Sequence, residues 1–143
     1  MMPDVELLVP PGAQYVGLAR LVVTAAARQA GMTNDRLEDL KIAVSEATAN
    51  AIQAHQRTGD DGPVQLQFGP TGNGHFGVTI ADAGLPPEGS APGAVGDRVE
   101  GGLSLTLIRG LADVVDVAGG SGTSVHMRFI VGGSPARRVV EDP

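Results

Sequence analysis

The feature that most restricts the fold is the order in which the hydrophobic period changes along the chain. Val5 to Val9, VELLV, is a short β-branched and leucine run stopped by Pro10, Pro11 and Gly12, which reads as a strand. Two helical periods follow with no strand between them. Residues 13–30 are mostly apolar, while Gly17, Arg20, Thr24 and Arg28 recur at helical spacing as a solvated polar stripe, and Gly31 ends the run. Thr33 or Asn34 then caps a second helix whose first turn carries Asp35 and Glu38, acidic residues suited to the positive end of the helix dipole. Its apolar stripe is Leu37, Leu40, Val44, Ala47 and Ala51.

After GDDGP the period shortens. Val64 to Phe68, VQLQF, alternates apolar and polar, and Phe76 to Asp82, FGVTIAD, reads as its partner strand across the turn GPTGNGH. Residues 85–102 are rich in Gly, Pro and Ala without a period, as expected of a functional loop. LSLTLIRGLAD, from Leu103, predicts a third helix with Leu103, Leu107 and Leu111 on one side. VVDVAG and SVHMRFIV read as two last strands joined by GGSG, and residues 132–143 as a disordered tail.

Helices bunched between runs of hairpin strands predict an α+β fold in one domain over residues 1–131. The architecture is a two-layer α/β sandwich, a mixed, mostly antiparallel sheet with helices on one face. A doubly wound parallel sheet would need strict alternation, and there is no internal repeat.

Composition narrows the chemistry. The 143 residues suit a single core without staples, built of Leu, Val, Ile and Ala because Trp is absent and aromatics make up 3%. With no cysteine, the chain has no disulfide, thiolate metal site or thiol catalysis. His55, His75 and His126 fall in different elements, so a bound metal would be held by oxygen. A net charge of -6 opposes a nucleic-acid partner. The N-terminus lacks a signal-peptide pattern, and no run reaches the roughly 18 apolar residues of a membrane helix. A cytoplasmic protein is expected.

The helix segment SEATANAIQAH, Ser45 to His55, sets Glu46 and Asn50 one turn apart on a flank away from the apolar stripe. Alone, such a pair reads as an exposed helix face. Three later segments change its weight: Asp82 and Gly84 just past a strand, Gly101 and Gly102 opening the third helix, and Gly122 and Thr123 entering the last strand. In this order, with a Gly- and Pro-rich loop between the second and third, they resemble the histidine-kinase-like ATPase fold, or Bergerat fold, shared by gyrase-type ATPases and histidine kinases. Within it the chain is similar to the anti-sigma factor serine kinases of the RsbW and SpoIIAB type. AVSEATANAI, VTIADAG, EGGLSLTLIRGLADVVDV and GGSGTSVHMRF carry the resemblance, which spans roughly Val5 to Val131.

That resemblance implies ATP and Mg²⁺ as cofactors. Asn50 would be the Mg²⁺ ligand, its amide oxygen being the hard donor the ion takes beside waters and phosphates. Glu46 would be the general base toward an incoming hydroxyl. Asp82 would accept from the adenine exocyclic amine, with Gly84 and Thr123 beside it. Gly101, Gly102 and Leu103 would meet the phosphates at a helix N-terminus, and residues 85–100 would form a lid. A sigma factor and an anti-anti-sigma factor are the implied partners. A homodimer is implied too, and the apolar first helix could supply its interface.

The sequence departs from the family pattern at three places. Pro86 stands where a second glycine is common, Ser104 replaces a glycine, and Ala54 precedes His55 where a histidine is often found. These keep open a second reading, a non-catalytic nucleotide-binding or partner-sequestering module of the same fold. A third, the catalytic module of a two-component histidine kinase, would need a separate chain bearing the phosphoacceptor histidine. Arg109 reads as an exposed helix arginine, and His55 and His126 as structural or surface residues.

Overall fold

The computed structural model describes residues 5–59, 61–82, 102–119 and 123–132. The expected lid, with Gly84, Pro86 and Gly101, lies outside the described residues, as do Gly122 and the tail from residue 133. Strand β1 (Val5–Val9) leads through a 3-10 turn (Ala13–Tyr15) into α1 (Val16–Gln29) and α2 (Asn34–Thr58). The hairpin β2 (Val64–Gly72) and β3 (His75–Ala81) follows, then α3 (Gly102–Leu111), β4 (Val114–Ala118) and β5 (Ser124–Ile130). The sheet order is β1-β2-β3-β5-β4. Every strand pair is antiparallel, so the mixed sheet anticipated above has no parallel pair among the described residues.

Local chemistry explains the element ends. Thr33, in an extended conformation, accepts from the Arg36 N–H at 3.4 Å and caps α2, an interaction that typically contributes about 1 kcal/mol. Gly59 closes the same helix at φ 73°, a left-handed position where glycine has no Cβ to clash. Asn73 and Gly74, with φ 57° and 78°, make the two-residue turn of the β2–β3 hairpin, because positive φ at both positions matches the twist of the flanking strands. The strands therefore run further into GPTGNGH than expected, with a bulge between Pro70 and Gly72.

Helix α2 packs between α1 and α3, and all three lie on one face of the sheet. The core corrects the expectation of a purely aliphatic interior. Phe68, Phe76 and Phe129 are the largest fully buried side chains, one each from β2, β3 and β5. Their positions face the helices on alternate residues, and a buried side chain of that size contributes roughly 1.5–3 kcal/mol. All five residues of the α2 stripe are buried.

Two helix faces differ from expectation. Thr24 is 5% exposed while Arg20 and Arg28 are exposed, so the α1 polar stripe is not one solvated face. The Arg20 guanidinium instead reaches α2, donating to Ser45 Oγ at 3.2 Å. In α3, Ile108 is buried and Leu107 is 42% exposed, so Leu107 does not face the core, whereas Leu111 packs against it. With Leu107 and Ile108 adjacent and both apolar, periodicity alone could not choose between them.

A buried cation ties the helical layer to the sheet. Arg36 is 3% exposed, and its Nη1 donates to Asp39 at 2.7 Å and its Nη2 to Asp113 at 2.5 Å. The guanidinium also reaches the Leu111 carbonyl at the end of α3 and lies 5.5 Å from the centre of the Phe129 ring. Asp113 in turn accepts from the Ile130 N–H at 2.7 Å. One arginine thus fixes the start of α2, the end of α3 and the end of β5.

Candidate nucleotide site

Helix α2 has a defined direction over the sheet. At its start, the Thr33 N–H donates to the Val131 carbonyl, and the Val131 N–H to that of Gly74, beside the beginning of β3. At its other end, the Gln56 side chain donates to the Pro11 carbonyl just past β1, whose last residue, Val9, pairs with Val64. The C-terminal half of α2 therefore lies over the sheet end where β3 finishes and β5 starts.

A cleft of about 610 Å³, counting its open mouth, lies between that half of α2 and the sheet. Asn50, Gln53 and Arg57 line it from α2, Asp82 from the end of β3 and Thr123 from the start of β5. Its apolar wall includes Ile80, Leu105, Val117 and Val125. Asn50, Asp82 and Thr123, singled out in separate segments, are thus brought together. The alanines of the motif have a role as well, since Ala47, Ala51 and Ala54 form the α2 side without filling the space.

Asp82 is the most constrained of these groups. It is 5% exposed, its N–H donates to the Thr123 carbonyl at 2.9 Å, and its Oδ1 accepts from the Thr123 N–H at 2.8 Å. The strand pairing of Ala81 with Ser124 continues into this reciprocal contact and sets the carboxylate's direction before any ligand arrives. A buried carboxylate beside the apolar wall of the cleft suits a base edge that presents a hydrogen-bond donor.

Glu46 stands one turn before Asn50 on α2, half-buried, and is not among the residues lining the cleft. Gly102 opens α3 as expected, and Leu103 follows it in the first turn. Gly84 and Gly101 cannot be placed, lying outside the described residues. Arg57, Gln53 and Leu105 were missed by sequence reasoning. The spacing from Asn50 held the signal for the first two, since positions three and seven further along a helix share its face. The donor set fits a magnesium nucleotide: Asn50 offers a neutral hard oxygen donor at the cleft, and the wall beside it is apolar enough for a base.

The model of the histidine kinase-like ATPase domain matches residues 9–129. The serine-protein kinase RsbW of Bacillus subtilis (strain 168) is 37% identical, over 90% of this chain and 86% of its own length. The serine-protein kinase RsbW of Staphylococcus epidermidis is 34% identical, over 86% of this chain and 84% of its own. Among solved structures, the RsbU and RsbW domains of a Mycobacterium tuberculosis protein superpose with a TM-score of 0.69 at 14% identity. That match covers 91% of this chain and 32% of the other, and shows the shared fold. The chain belongs to the histidine kinase-like ATPase domain family and, within it, groups with the serine-protein kinases called RsbW.

Among the described residues no helix is long and apolar enough to cross a membrane.

Proposed function

We propose that the chain is an ATP-dependent protein serine kinase that acts as an anti-sigma factor, holding a sigma factor and phosphorylating a serine of an anti-anti-sigma antagonist in the cytoplasm. The observation that carries this reading is the single cleft that joins Asn50, Asp82 and Thr123 from three separate elements. The relatives named serine-protein kinases support the type of reaction.

Asp82 and Thr123 take the adenine end. Asn50 holds Mg²⁺, which when bound neutralises phosphate charge. Glu46, one turn toward the start of α2, accepts the proton of the serine hydroxyl as its oxygen forms a bond to the γ-phosphorus and the bond to the ADP oxygen breaks. Gly84 belongs with Asp82 at the adenine end, and Gly101, Gly102 and Leu103 complete the phosphate end. Leu18 and Leu21, 46% and 66% exposed on α1, give the chain an apolar surface suited to a homodimer.

Incubation with Mg-ATP and the antagonist, followed by mass spectrometry for phosphoserine, tests the proposal. Transfer by the wild type and a fall of about 10²–10⁴-fold in Glu46→Ala are expected. A wild type that binds nucleotide and antagonist but transfers nothing leaves the non-catalytic module in its place.

A further inference from the structure

We infer that Arg57 is a base-stacking residue of this cleft, its guanidinium covering the open face of the adenine ring whose edge Asp82 reads. The inference rests on the nucleotide reading above. Arg57 lines the cleft and is exposed, so it stands at the mouth, whereas Asp82 lies at the floor.

The direction of α2 decides which part of a nucleotide Arg57 meets. It lies seven residues after Asn50, about 10 Å further along the helix, on the side away from Glu46. If the metal and phosphates sit at Asn50 and Glu46, then Arg57 stands at the opposite end, with the base. The helix itself agrees, because Arg57 is in the last turn of α2, where the dipole is negative and phosphate is disfavoured.

A purine also needs its faces covered. The described lining residues include no aromatic side chain. Ile80, Leu105, Val117 and Val125 supply an apolar wall, and Arg57 is the sole planar, delocalised cation among those residues. Guanidinium planes stack on bases, and a flexible ammonium does not substitute for them.

The test is isothermal titration of AMP, ADP and Mg-ATP into wild type, Arg57→Ala and Arg57→Lys. Arg57→Ala is expected to weaken all three ligands by the same factor, roughly three- to tenfold, as for loss of a cation over a ring. Arg57→Lys is expected to recover only part of this. A loss that grows with the number of phosphates, a full recovery in Arg57→Lys, or no loss in Arg57→Ala would each overturn the inference. Thermal midpoints without ligand check folding, and Arg57→Gln replaces the alanine variant if that one unfolds. A wild type that binds none of the three ligands defeats the nucleotide reading itself, whereas normal binding by every variant defeats the Arg57 assignment alone.

Discussion

The Asp82 carboxylate and the Thr123 backbone hold each other: Thr123 donates its N–H to Oδ1 at 2.8 Å, and Asp82 returns its own N–H to the Thr123 carbonyl at 2.9 Å. The group proposed to read adenine is thereby held by the adjacent ends of β3 and β5. Preorganisation of this kind spares the ligand the cost of ordering its own receptor.

Asp82→Asn replaces an ionised acceptor with an amide that must also place its NH₂. A hydrogen bond to a charged group contributes about 1.5–3 kcal/mol, so the Kd for ATP should rise by about ten- to a hundredfold. Preference for ATP over GTP should fall with it. Calorimetric titration of both nucleotides measures this, and unchanged discrimination would remove Asp82 from the base site.

Asn50→Ala should uncouple nucleotide binding from magnesium. In the wild type, a chelator is expected to weaken ATP binding markedly. The alanine variant should bind ATP about as weakly with magnesium as without it, since the protein's hard oxygen donor to the ion is gone. Paired titrations with and without chelator decide the point, and a full magnesium effect in the variant would place the metal elsewhere.

The buried Arg36 should matter for stability rather than chemistry. Arg36→Met removes the partner of both Asp39 and Asp113 and frees the Leu111 carbonyl. Breaking a buried pair from one side costs about 3–5 kcal/mol, and the partial exposure of both aspartates favours the lower figure. Urea unfolding of the variant measures it. A change below about 1 kcal/mol would show that the network contributes little.

Asp39 gives that network a pH dependence. Burial raises its carboxyl above the ordinary 3.8, outweighing the opposing pull of the Arg36 guanidinium, and Asp35 and Asp113 add to the rise. The folded state therefore holds the proton more tightly than the unfolded chain. The stabilisation is complete below 3.8 and is lost as pH rises through the raised folded value. Relative to Asp39→Asn, the wild type should lose stability from acid to neutral pH. Urea unfolding of both proteins along a pH series measures the gap, which must not widen in the wild type's favour as pH rises.

Much of this arrangement is legible in the residues. The order of strands and helices follows from changes of period, the α2 start from Thr33 or Asn34, and the hairpin from the turn segment GPTGNGH, within which the structure narrows the turn to Asn73 and Gly74. The grouping of Asn50, Asp82 and Thr123 comes from the resemblance of their segments, in that order, to the histidine kinase-like ATPase family, since each residue alone reads as an ordinary helix face or strand end. What periodicity could not supply is partnership. Nothing in the segment around Arg36 marks it for burial until Asp113, far away in sequence, is seen to meet it, and Thr24 reads as polar surface until α1 is laid against its neighbours. Arg57 was overlooked because an arginine near a helix end usually serves the dipole, and only the position of the cleft gives it a ligand to face.

The central claim is that these residues form a purine nucleotide site, and thermal unfolding with and without Mg-ATP tests it most directly. A ligand that binds only the folded state adds about 2.7 kcal/mol at a hundredfold excess over its Kd, which raises the midpoint by several degrees. The account predicts that rise with Mg-ATP and Mg-ADP, a much smaller one with Mg-GTP, and one cut to about half or less in Asp82→Asn at the same concentrations. An unchanged wild-type midpoint at millimolar Mg-ATP would contradict it.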